Sequence, residues 1–269
     1  LVLELQQAAA ATVFNETSHL DYPWQTNSGG GGNGPSITIP ANQTLAFDSA
    51  FAFGSSRGYE GVSDIISHNG FTYVSGAYSG DINLGMGCSA SSTNLQSGTG
   101  EEALTNGLPF VAKFDSNGTC IWIAPVTLSW GTGQNHARTA TDSTHKLSMD
   151  SNGNLFFISS IYSPNAPKNL DFGNLTITTG GNSHDSYLAK IDQNGSWQWV
   201  EHIGRNYICP CTVTVDSSHN IWATALDVNN VWFQVLKKYD TNGQLLNSTQ
   251  INGGIVQIHA TALDSNDDL

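Results

Sequence analysis

Tyr187-Leu188-Ala189-Lys190-Ile191-Asp192-Gln193-Asn194-Gly195-Ser196-Trp197-Gln198-Trp199 reads as a β-hairpin. Alternating and aromatic residues lead to Asp192, and Asn194-Gly195 offers the positive φ angles of a tight turn matched to strand twist. An apolar strand then leaves with Trp197 and Trp199. The segment has a counterpart upstream, Phe110-Val111-Ala112-Lys113-Phe114-Asp115-Ser116-Asn117-Gly118 followed by Ile121 and Trp122. Downstream, Val235 to Tyr239 leads into Asp240-Thr241-Asn242-Gly243. A second hairpin type alternates with the first. It turns at Asp150-Ser151-Asn152-Gly153, at Asp216-Ser217-Ser218-His219 and at Asp264-Ser265-Asn266-Asp267, and Ile65 to Tyr73 fits the same frame through His68-Asn69-Gly70.

The residue before each turn sets the phase. Asp216, Asp240 and Asp264 are separated by two steps of 24 residues, a repeat of 48 holding four strands. Asp150 to Asp192 is 42 and Ser67 to Asp115 is 48, so insertions of 18 and 24 residues fall at one place in the frame. Four short strands in a repeat of about 40–50 residues are the signature of β-propeller blades, none of which buries its faces alone.

The alternation of VAKFDSNG…W with DSNGNLFFIS, separated by GAYSGDINLG and NLDFGNLTITTGG, resembles the seven-bladed β-propeller repeat family of secreted bacterial and archaeal proteins, over roughly residues 52–269. The resemblance implies an extracellular scaffold and carries no shared catalytic residues. Two departures mark this copy. The third unit lacks the Gly-rich segment between its second and third strands, and Cys209-Pro210-Cys211 replaces the usual Gly-rich approach to the blade.

The expected architecture is all-β, with β-propeller-type blades over residues 36–269 and an N-terminal arm over residues 1–35. About three complete units are countable, fewer than the four to eight of closed propellers, and Leu269 falls inside the first strand pair of another. The expectation is a segment of a longer protein, or blades completed by the N-terminal region or by another chain. Residues 1–11 read as a short helix or an extended docking arm. Glu4, Gln6 and Gln7 spoil a signal-peptide core, and no basic region precedes them. Gly29-Gly30-Gly31-Gly32-Asn33-Gly34-Pro35 reads as linker, and Ile37–Pro40 and Leu45–Phe47 read as strands flanking Asn42.

Charged residues make up 12% of the chain, about half the usual quarter. The net charge of −13 repels nucleic acid and anionic lipid, and no run of eighteen apolar residues encodes a membrane span in this segment. Six Asn-x-Ser/Thr sequons, at Asn15, Asn42, Asn117, Asn174, Asn194 and Asn247, agree with an exported, glycosylated protein, although Asn117 and Asn194 are explained as turn residues alone. Cys88, Cys120, Cys209 and Cys211 allow three pairings. Disulfides fit an exported chain, and the Cys-Pro-Cys spacing does not fit a zinc site.

Blade geometry places the short turns at one end and the insertions at the other: residues 85–107, 163–184, and the links 127–144 and 203–211. That elaborated end is where binding is expected, with Trp130, His136, Arg138, Arg205 and Tyr207 as ligand candidates beside Glu101, Glu102, His184 and Asp185. Exposed rings beside amides and carboxylates suit a sugar; the alternative is that Trp130 and Tyr207 pack a long loop onto the blades. Trp122, Trp197, Trp199, Trp222 and Trp232 read as core or inter-blade packing. Gly54-Ser55-Ser56-Arg57-Gly58 matches a nucleophile elbow in letters only, since no helix follows. One Asp per turn is too few for a calcium loop and is sufficient for a turn that bonds its own backbone, which leaves Ca²⁺ only between inserted loops; no other cofactor and no metal site is expected.

The reading is a non-catalytic extracellular or cell-surface scaffold, a structural subunit of a surface layer, filament or adhesin, with copies of itself or other surface proteins as partners. The alternative is a carbohydrate- or protein-binding module. A propeller hydrolase would need converging carboxylates, and Asp81 and Glu60 are scattered in the sequence.

Overall fold

The structure, a computed structural model, describes residues 2–5, 49–52, 60–78, 80–85, 87–91, 107–129, 138–139, 145–163, 167, 169–180, 183–205, 211–226, 234–251, 258, 260–264, 267 and 269. Two compact units divide the chain, Val2–Ala52 and Phe53–Leu269. In the first, β1 (Val2–Leu5) pairs antiparallel with β2 (Ser49–Ala52), Val2 opposite Ala52. Of the two readings of the N-terminus, these four residues take the extended one. Their partner strand lies on the far side of the expected 35/36 boundary. The Gly-rich segment and the strands expected around Asn42 lie outside the described residues.

The described strands of the second unit are β3 (Glu60–His68), β4 (Phe71–Tyr78), β5 (Asp81–Asn83), β6 (Ser89–Ser91), β7 (Leu108–Phe114) and β8 (Cys120–Ser129). They continue with β9 (Arg138–Thr139), β10 (Lys146–Met149), β11 (Leu155–Ser163), β12 (Asn169–Phe172), β13 (Leu175–Thr178) and β14 (Ser183–Ile191). The last are β15 (Trp197–Arg205), β16 (Val213–Val215), β17 (Ile221–Leu226), β18 (Gln234–Tyr239) and β19 (Leu245–Gln250). The described residues are all-β, and three antiparallel four-stranded meanders carry them: β3-β4-β7-β8, β10-β11-β14-β15 and β16-β17-β18-β19. Short strand β9 adds to β11, and the β12–β13 hairpin adds to the outer edge of β8.

Successive meanders bury their faces against each other. Tyr73, Val111 and Ala124 of the first pack with Leu147, Leu155, Phe157 and Ile191 of the second. The opposite face of the second, Phe156, Ile158 and Leu188, packs with Val213, Ile221, Ala223 and Val235 of the third. Neighbours Phe156 and Phe157 therefore serve different cores. A strand buried on both faces is apolar at consecutive positions, which is why Leu155-Phe156-Phe157-Ile158 breaks the alternation of a one-sided strand. Each such buried side chain is worth about 1.5–3 kcal/mol of transfer energy.

The turns are built on carboxylates. Asp115, Asp150, Asp192, Asp216 and Asp240 each accept, through Oδ1, the backbone N–H groups two and four residues on, at 2.7–3.1 Å. Burial alone would raise the Asp216 carboxyl, but hydrogen bonds from Asn220, Trp222 and Lys238 outweigh it and hold the group below the usual carboxylate range. The two-residue Asn-Gly turn expected at Asn194-Gly195 is corrected. Gly195 N–H bonds Asp192 C=O at 3.1 Å, only Gly195 of the pair has positive φ, and the strands shift register between Lys190 and Ile191. This is a wider turn closed by a glycine bulge, because the Asp carboxylate stabilises four residues rather than two. The tight Asn-Gly turn occurs instead between β3 and β4, where Asn69 (φ 50°) and Gly70 (φ 78°) both lie in the left-handed region.

Candidate functional site

The joints between meanders repeat one device. Seven residues after the turn Asp, Trp122 of β8 and Trp199 of β15 reach the third-to-fourth turn of the next meander. Trp122 Nε1 donates to the Gln193 carbonyl at 3.1 Å, and Trp199 Nε1 to the Thr241 carbonyl at 3.0 Å. Each indole lies over the turn glycine, Gly195 or Gly243. Gln193 Nε2 bonds the Asn152 carbonyl at 2.7 Å, which places both short turns of the second meander at one end. Trp197 packs edge-on against Phe172 at 5.0 Å and also meets Phe157, while Lys238 covers the Trp222 ring. These four tryptophans are packing residues, as expected; Trp232 lies outside the described residues.

At the opposite end the insertions form two matching hairpins. In β5–β6, Ile82 and Leu84 are buried, Gly85 has positive φ, and Ser91 Oγ donates to Asp81 at 2.6 Å. In β12–β13, Leu170 and Phe172 are buried, Gly173 has positive φ, and Thr178 Oγ1 donates to Asn169 at 2.9 Å. Each is tied to its own meander five residues after the turn Asp: the first by the Cys88–Cys120 disulfide, the second by Phe172 on Trp197. One of the pairings open in the sequence is thereby settled, and Cys209 lies outside the described residues. Asp81 accepts the Ser91 hydroxyl within its own hairpin.

Of the ligand candidates, Trp130, His136 and Tyr207 lie outside the described residues, as do Glu101, Glu102 and the Gly54–Gly58 segment. Arg138 and Arg205 are placed by backbone alone. Arg138 stands opposite Tyr162 and Tyr162 opposite His184, one row across three strands; Arg205 stands opposite Asp185. The Tyr162 and His184 rings are 4.6 Å apart. Asp185 is fully buried, accepting Gly180 N–H at 2.8 Å and His202 Nε2 at 2.9 Å. Tyr162 and His202 were not singled out from sequence. His202 stands opposite Tyr187, and Asp185, two residues from Tyr187, meets it diagonally across the strand pair beside the register shift at Ser186/Tyr187.

The buried carboxylate fixes the return of the β12–β13 insertion and orients one imidazole, which is a positioning arrangement. Among the described residues no three His, Cys, Asp or Glu side chains gather as a metal-binding group. Asn117, Asn174, Asn194 and Asn247 are exposed; Asn15 and Asn42 lie outside the described residues. Compared with known families and with curated proteins, the chain matches neither a family model nor a curated protein.

Proposed function

We propose that the chain is a β-propeller-type array of four-stranded blades, exported to the cell surface or beyond, and that it serves as a non-catalytic structural or assembly subunit. The observation that carries this reading is the repeated Trp-to-turn joint, Trp122 on Gly195 and Trp199 on Gly243. A device used twice in register makes a modular stack, in which each unit is completed by its neighbour. The carboxylates of the turns are spent on backbone N–H groups, which suits a framework. The Cys88–Cys120 disulfide supports an oxidising compartment.

Electron microscopy of material taken from the cell surface or culture fluid, with native mass measured in parallel, tests the reading. Filaments, sheets or defined multimers are expected. Isolated single-chain discs would replace the assembly role by a binding role, to be followed on a glycan array.

A further inference from the structure

β19 (Leu245–Gln250) is the outermost strand of the third sheet, and all six of its residues are exposed, Leu245 at 48% and Leu246 at 52%. The free N–H and C=O groups of such an edge are a template for pairing with another chain, and proteins blunt them with charge, proline, a bulge or a cover. Leu-Leu-Asn-Ser-Thr-Gln has no charge and no proline. Its register shift, opposite Lys238/Tyr239, sits at the turn end and has counterparts in β8 and β15, so it does not protect the strand in particular.

The other two outer strands are treated differently. β12 pairs with the edge of β8 over Val126–Ser129, whereas β15 carries the charged Glu201 and Arg205; the Trp122 and Trp199 side chains pack on the next turn and Trp197 on Phe172. The position of Trp122 and Trp199, seven residues after the turn Asp, is Asn247 in the third meander, and the position of Cys120 and Trp197 is Leu245. Both tying side chains are thus replaced, and the replacement Asn247-Ser248-Thr249 is a sequon. Asn117 and Asn194 have a second reason to be Asn, since they sit in Asp-led turns. Asn247 has none, and Asn is disfavoured in strands. Its own hydrogen bond, from Ser248 N–H at 2.8 Å, engages the side-chain oxygen and not the nitrogen that takes a sugar.

We propose that Asn247 is N-glycosylated and that the glycan shields the β19 edge against pairing with other chains. The co-reactant is a lipid-linked oligosaccharide phosphate donor. A bond forms between Asn247 Nδ2 and the anomeric carbon as the bond from that carbon to the phosphate oxygen breaks, and the amide gives up one proton. The inference rests on the exported reading above.

Glycopeptide mass spectrometry of native secreted protein is the test, joined to sedimentation of the variants Asn247→Gln, Thr249→Ala and Thr249→Ser made in the same host. Most copies are expected to carry sugar at Asn247. The first two variants should lose it and sediment as larger or less uniform species than the parent under the same conditions, and Thr249→Ser, which keeps the sequon, should behave as the parent. A bare Asn247 in secreted protein with sugar at Asn117, Asn174 or Asn194 overturns the proposal and leaves the exported reading intact. Bare protein retained inside the cell overturns both. Glycosylated parent and unglycosylated variants that sediment alike overturn the shielding role.

Discussion

The indole of Trp122 lies so close over Gly195 that a Cβ at that position would come within 2.7 Å of the ring, while its N–H bonds the neighbouring Gln193 carbonyl. Gly195 also has φ 83°, so an alanine there meets both a left-handed backbone and a ring. Gly195→Ala should cost about 2–3 kcal/mol, combining the left-handed penalty with overpacking. Gly243→Ala, where the nearest Trp199 atom is at 3.0 Å, should cost less. Urea midpoints of the two variants against the parent decide it; equal costs would mean that the joint adds nothing to backbone strain.

The left-handed turn position is not always glycine. His219 takes φ 64° in the place that Gly153 takes in the second meander. Its side chain gains little there, with Asn152 Nδ2 at 3.5 Å and Asp150 Oδ2 at 3.8 Å. His219→Gly is expected to stabilise the protein by about 1 kcal/mol, the steric cost that glycine avoids. Thermal unfolding should register a small rise in Tm.

Strand pairs and turns were legible because their signals are local: period-two alternation, and an Asp followed by Asn-Gly or its equivalent. The aromatic joints were legible as a class, since Trp122 and Trp199 recur at one phase. The addition of Asn169–Phe172 to Val126–Ser129 was not, because nothing in either segment names the other, and the same holds for Val2–Leu5 with Ser49–Ala52. The Asp185–His202 pair depends on the register of β14 against β15, which places His202 opposite Tyr187 and which neither segment states alone.

His145 predicts an acid limit to stability. It is buried against Phe157, with Nδ1 at 2.9 Å from Ser159 Oγ, and its carbonyl accepts the Ser75 hydroxyl of the first meander. Burial pushes its pKa down from 6.5 to about 4. The unfolded chain therefore takes up a proton near the ordinary value while the folded chain does not until about 4. Stability from this residue is complete above 6.5, falls as the pH drops through that window, and is level below about 4. The total loss is on the order of a few kcal/mol. Urea unfolding between those limits should show the slope, and His145→Gln should flatten it.

The two insertion hairpins should respond to different reagents. Closing a separation of 32 residues, the Cys88–Cys120 bond contributes about 3–4 kcal/mol by chain entropy. Reduction should therefore destabilise the protein and expose the β5–β6 amides to hydrogen exchange, while β12–β13 stays protected through its pairing with β8. Phe172→Ala should do the reverse. Phe172 is fully buried between Trp197 and Tyr187, so its truncation costs about 3–5 kcal/mol and should release the Leu170 and Phe172 amides without touching β5–β6. Exchange measured by mass spectrometry on both proteins separates the two ties; if reduction freed both hairpins equally, the disulfide would be holding the whole insertion end rather than one clasp.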